Sequence, residues 1–241
     1  MDPAKAETKR RPVANEIVST EEAYVASLQV LIDLYLVPLR ELSLTSDAIL
    51  TPAEINTLFR NIESIALLHL KFLADMQARR NEWQDAPTQC IADLFLNFAP
   101  FFKTYTAYVN DHDDATEILT QLLKSSGKRA ERFQNFERQC RNHPRAKGEM
   151  LSSFLIMPIQ RVPRYRLLLG ELCKHTVPEH PDFDGLKKAL ALVHRVAGGS
   201  DVCVLVMTPQ CDIHCVGHLS FGISGERVRS SVYRIGYVIL P

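Results

Sequence analysis

Apolar residues recur every three or four positions in one segment after another from Pro12 to about Ala197, and nothing in that span alternates like a half-buried strand. A helix buries one stripe of its surface, so a series of such stripes must pack on one another. The pattern predicts an all-α bundle of about six long helices. Val13, Ile17, Tyr24, Leu28, Leu31, Tyr35 and Leu36 define the first, bent near its end by Pro38. Thr51, Pro52 and Glu54 mark the start of a second, which should reach Arg80. An aromatic-rich helix begins near Cys90, contains Pro100 and is capped by Asp111 to Asp114 into a short continuation. A charged helix runs from Lys128 to the residue before Pro144, and two more cover Leu151 to His175 and Asp184 to Ala197. No internal repeat is present, which removes solenoids.

With 28 Lys+Arg against 28 Asp+Glu, the chain has no global basic field to draw it onto nucleic acid or anionic lipid, and no nucleic-acid partner is expected. The opening MDPAKAETKRRPVA lacks the apolar run of a signal peptide, and no later segment offers an uninterrupted transmembrane stretch, so the expectation is a soluble, cytoplasmic protein. Six cysteines are too scattered for a disulfide scaffold. Cys90, Cys140 and Cys173 read as buried thiols within helices.

Catalytic signatures are missing: no phosphate-binding glycine loop, no nucleophile elbow, no metal-binding His-Glu helix. His69, in LLHLKFL, reads as a packed residue, and Glu16 and Glu21 as solvated helix-borne carboxylates without a partner acid. Cys211, His214, Cys215 and His218 are chemically fit for zinc, but their spacing departs from the common frameworks, and no metal or cofactor is expected.

The stretch LSSFLIMPIQRVPRYRLLLGEL, Leu151 to Leu172, places Pro158 and Pro163 inside one helix. Each interior proline removes a backbone donor and costs about 3 kcal/mol. Leu151, Leu155, Ile159, Val162, Leu169 and Leu172 form its apolar face. Stepping by three and four from Met157 gives Gln160, Arg161 and Arg164, a polar stripe carrying two cations.

Together VANEIVSTEEAYVASLQVLIDLYLVPLR, LFRNIESIALLHLKFL and FLIMPIQRVPRYRLLLGEL resemble the three signature regions of the Dbl homology domain, the exchange-factor module for Rho-family GTPases. They occur in the family's order and separations. The resemblance covers 11–197, leaving 1–10 as an N-terminal arm and 198–241 as a divergent tail. It implies an elongated helical bundle whose first and third regions lie side by side as a GTPase-binding face. It also implies a Rho-family partner of Rac, Cdc42 or Rho type, exchange without covalent chemistry, no cofactor, and membrane recruitment, if any, through other proteins.

By the same resemblance Glu16 meets the GTPase's switch 1, while Arg164 and Gln160 aim at the switch 2 side. Arg161 is either a further contact or an intramolecular brace. Ile156 falls where family members sense which GTPase is present, an aliphatic residue there fitting Rac- or Cdc42-like clients, and Leu168 completes the contact set. Asp201 aligns with a family asparagine, but Gly198 and Gly199 favour a break before it, so its role is doubtful. A last helix cut short there gives the alternative of a GTPase-binding scaffold without exchange activity.

Overall fold

The computed structural model describes residues 3–83 and 89–198. Within them the structure is helical throughout, with no strand: α1 (Pro3–Val30), a π-helical turn (Leu31–Leu36), α2 (Val37–Leu42), α3 (Pro52–Phe59), α4 (Ile62–Glu82), α5 (Ala92–Phe98), a 3-10 segment (Ala99–Thr104), α6 (Tyr105–Asn110), α7 (His112–Lys124), α8 (Lys128–Asn142), a 3-10 turn (Pro144–Ala146), α9 (Leu151–Lys174) and α10 (Phe183–Gly198). Counting α1 to α2 and α5 to α6 as continuous gives about seven long helices, the charged His112–Lys124 segment being separate from the aromatic helix before it. Residues 199–241, including Asp201 and the Cys211 to His218 cluster, lie outside the described residues.

Two local differences from the sequence reading have physical causes. α1 starts at Pro3 rather than Pro12, and its first turns are packed: Ala6 and Arg10 are buried. Arg10 donates to Asp182 at 2.7 Å and to Thr176 at 3.1 Å, which ties these turns to the segment joining α9 and α10. The helix expected from Thr51 to Arg80 is divided at Arg60, whose φ of 39° takes the backbone out of the helical region. There Arg60 pairs with Asp111 at 2.6 Å, and the Asn61 amide donates to the carbonyl of Thr104 at 2.7 Å. The start of α3 is as expected, with Thr51 and Glu54 forming a reciprocal capping box.

By length and composition, Lys5–Leu42 also passes as a membrane-crossing helix. Its apolar positions, Ile17, Leu28, Leu31, Tyr35 and Leu36 among them, are covered by the rest of the bundle, so it is the central core helix. The core between α1, α4, α5, α6 and α9 is aromatic: Tyr24, Phe72, Phe98, Tyr105 and Tyr165 surround His69, and Phe95 and Phe102 pack on Tyr165. Among the described residues three thiols are free: Cys140, buried, and Cys173, half-buried, lie in helices, whereas Cys90, also half-buried, lies in the loop before α5 rather than in a helix.

α9 remains continuous through both prolines. Pro158 leaves the Phe154 carbonyl without its helical donor. The hydroxyl of Tyr108 donates to the next carbonyl, that of Leu155, at 2.9 Å. A neighbouring helix thus binds backbone beside the first proline.

Candidate functional site

Three contacts fix how α1 lies against α9. Arg10 meets Thr176 beyond the end of α9, Glu21 meets Arg161 and Tyr165 near its middle, and Tyr35 meets Phe154 near its start. The helices are therefore antiparallel. Glu16 lies between Arg10 and Glu21 on one, and Arg164 lies between Arg161 and Thr176 on the other.

Helical phase places both residues around the axes. On α1, Tyr24 faces α9, under the Arg161 guanidinium at 5.0 Å, whereas Glu22 faces α4, bonded to Gln77 and Arg80. Glu16 is about 80° from Tyr24 and about 120° from Glu22, so it stands on the α9 side of α1. On α9, Ile156, Gln160, Arg164 and Leu167 share a strip about 80° wide, whose Arg164 edge is about 60° from the α1-facing Arg161. Glu16, Gln160 and Arg164 are exposed, Ile156 is half-buried and Leu167 is 51 % exposed. These residues border the solvent side of one seam. Neither the carboxylate of Glu16 nor the guanidinium of Arg164 has an ion pair among the described residues, unlike Arg40, Arg79 and Arg145, which pair with acids.

Two expected contacts are turned inward. Arg161 is 3 % exposed, in phase with the buried Phe154, Pro158, Tyr165, Leu168 and Leu172. It is an internal brace, not a surface contact: its Nη2 donates to Glu21, and its guanidinium lies over the ring of Tyr165 at 4.3 Å. Leu168, 9 % exposed, packs in the core under the seam, and its neighbour Leu167 takes the open position. Glu21 and His69 also depart from the sequence reading. Glu21 is a fully buried acid, and His69 is packed as expected but hydrogen-bonded on both sides.

Beneath the seam these polar groups form one network. Glu21 accepts from His69 Nδ1 at 2.6 Å, from Arg161 and from the hydroxyl of Tyr165. His69 Nε2 meets the hydroxyl of Tyr105, which lies 3.1 Å from that of Tyr24. The tautomer that satisfies both sides, assigned from these bonds, carries its proton on Nδ1. Burial opposes ionisation of Glu21, but the His69 hydrogen bond and the Arg161 charge outweigh it and hold the carboxyl below its usual range. Burial pushes His69 down against the pull of Glu21. The ring is thus neutral at pH 7, and Arg161 supplies the compensating charge.

The buried charges face one another, and the groups left open line a shallow seam between two helices: an acid, a base, an amide and a leucine. Such groups can hydrogen-bond to, and pack against, the surface of another protein. A family model of the RhoGEF domain matches residues 13–200, and the chain belongs to this family, that of the Dbl homology domain. Among curated relatives, the "Guanine exchange factor for Rac 30" of Dictyostelium discoideum is 34% identical over 189 residues, covering 78% of this chain and 11% of that protein. Mouse (Mus musculus) "Protein ECT2" is 34% identical over 191 residues, covering 79% of this chain and 20% of its own length. The chain thus spans a small part of these relatives. Among solved structures, the DH/PH domains of PDZ-RhoGEF in complex with activated RhoA superpose with a TM-score of 0.70 at 22% identity, over 79% of this chain and 52% of that one, a likeness of fold.

Proposed function

We propose that residues 11–197 bind a Rho-family GTPase across the α1–α9 seam, stabilise its nucleotide-free state and so promote GDP release. The observation that carries this reading is the unpaired, exposed Glu16 and Arg164 bordering one seam, at the positions the family uses for its partner. Family membership and the relative named for Rac support it. No bond of the nucleotide is made or broken. A surface that binds the empty GTPase more tightly than the loaded one lowers nucleotide affinity by the same factor. Glu16 is placed to accept hydrogen bonds from switch 1. Arg164, with Gln160 beside it, is placed to make a charge-assisted bond that holds switch 2 in a reshaped form. Ile156, half-buried at the edge of the strip, is the residue placed to read the GTPase's identity.

The test is nucleotide release from fluorescently loaded RhoA, Rac1 and Cdc42 mixed with the purified chain. Acceleration on at least one, lost in Glu16→Ala and in Arg164→Ala, is the expected result. Tight binding to nucleotide-free GTPase without acceleration selects the scaffold alternative, and no binding at all rejects the assignment.

A further inference from the structure

The two helices that carry the open acid and base are joined beneath the surface by a second acid and base. Glu21 follows Glu16 by five residues on α1, and Arg161 precedes Arg164 by three on α9. The buried pair therefore sits less than two turns from each exposed residue. Glu21 and Arg161 occupy core-phase positions that an apolar residue would fill more cheaply, since a buried pair is often no more stabilising than a hydrophobic replacement of like volume. What an ion pair adds is direction. The carboxylate is held at once by Arg161 and Tyr165 of α9 and by His69 of α4, so α1 can neither slide nor turn against α9 without breaking bonds that have no water to replace them.

We propose, building on the exchange reading above, that Glu21 and Arg161 are positioning residues: a clamp that sets the register of α1 on α9 and thereby the spacing of Glu16 from Arg164. Neither residue touches the partner. Each acts by holding an open neighbour where the GTPase requires it, and displacement of such a group by about 1 Å can cost on the order of 100-fold in rate.

A merely structural role would also lower activity, by lowering the folded fraction, so the test separates the two by non-additivity. Arg161→Gln is made in the wild-type chain and in the Arg164→Ala chain. Affinity for nucleotide-free GTPase is then measured per folded molecule, with release rates alongside, split into kcat and KM. Leu119→Ala in α7, a helix that packs mainly on α3 and α8, serves as a core substitution away from the seam. The clamp predicts that Arg161→Gln weakens affinity on the order of tenfold in the wild-type chain and by a clearly smaller factor once Arg164 is gone, because the share of the loss that runs through Arg164 cannot recur. Arg161→Lys, which keeps the charge, should restore part of the loss, and Leu119→Ala should leave affinity per folded molecule unchanged. Equal losses in both backgrounds overturn the clamp while leaving the exchange reading standing. A wild-type chain with neither exchange nor GTPase binding overturns both.

Discussion

The thiol of Cys140 lies 3.1 Å from the carbonyl oxygen of Leu34, and Leu34 is the residue whose helical hydrogen bond Pro38 cannot supply. The first helix passes through a π-helical turn there, with the amide of Val37 reaching back to Ile32, and continues to Leu42. A buried thiol from α8 donates to the freed oxygen. Burial, with Glu137 beside it, pushes that thiol up to about 11, so it keeps its proton at neutral pH. Cys140→Val, similar in size but without a donor, should cost about 1 kcal/mol, and Cys140→Ser should cost less. Urea unfolding at pH 7 checks this, and a valine variant as stable as wild type would show that the bond carries nothing.

Asp182 joins three parts of the bundle through one carboxylate. It accepts from Arg10 of α1 at 2.7 Å and from the amides of Ile91 and Ala92, at 3.0 Å each, where α5 begins. Burial pushes Asp182 up and Arg10 down, and the charge of each works against the shift of the other. Asp182→Ala leaves a buried guanidinium and two stranded amides, and should destabilise by about 3 to 5 kcal/mol. Asp182→Asn should lose less, because its carbonyl still accepts. The same unfolding experiment decides, and a loss under about 1 kcal/mol for the alanine variant would rule the staple out.

His180 gives the fold an acid limit. Its Nδ1 accepts from the amide of Asp182 at 3.0 Å, and its Nε2 is 3.8 Å from Glu7. Burial, and then the charge of Arg10, push the ring from 6.5 down to about 4. Between those values the unfolded chain binds the proton and the folded chain does not, so stability rises with pH across that window. Its contribution is complete above about 6.5 and lost as pH falls towards 4, amounting to about 2 kcal/mol after allowance for partial solvent access. Glu21, lowered from the usual carboxylate range, extends the loss to still lower pH. The difference in unfolding free energy between pH 7 and pH 4.5 should shrink in His180→Asn, and an unchanged difference would assign the acid limit elsewhere.

The helical period revealed the class of fold, and the paired prolines with the Gln160 to Arg164 strip revealed which helix matters. It did not distinguish an open charge from a buried one. In the sequence Arg161 and Arg164 fall on one polar stripe, although Arg161 shares the phase of Phe154, Tyr165 and Leu172 and Arg164 does not. Glu21 shares the phase of Ile17, Tyr24 and Leu28, and His69 that of Ile62, Ile65, Phe72 and Met76. Three polar residues at core phase on three helices are a signal that they meet, because none can be buried alone. That signal is visible in the sequence, though which residues pair follows only from packing. The break at Arg60 had no comparable signature, since it depends on partners, Asp111 and Thr104, more than forty positions away.

Leu167 and Leu168 put the seam to a direct test, because adjacent residues on a helix point about 100° apart. Leu168 is 9 % exposed and packs in the core, so Leu168→Ala should cost about 2 to 5 kcal/mol of stability while leaving exchange per folded molecule unchanged. Leu167 is 51 % exposed, in the strip with Ile156, Gln160 and Arg164, so Leu167→Ala should alter stability by no more than about 0.5 kcal/mol. If the partner covers the strip, the same substitution should lower exchange at least about fivefold, the effect of losing a contact worth about 1 kcal/mol. Thermal unfolding and nucleotide release, measured on both variants, distinguish these outcomes. The reverse pattern, with exchange sensitive to Leu168 and indifferent to Leu167, would mean that the GTPase reaches a side chain now beneath the seam, and that α1 and α9 must part to admit it.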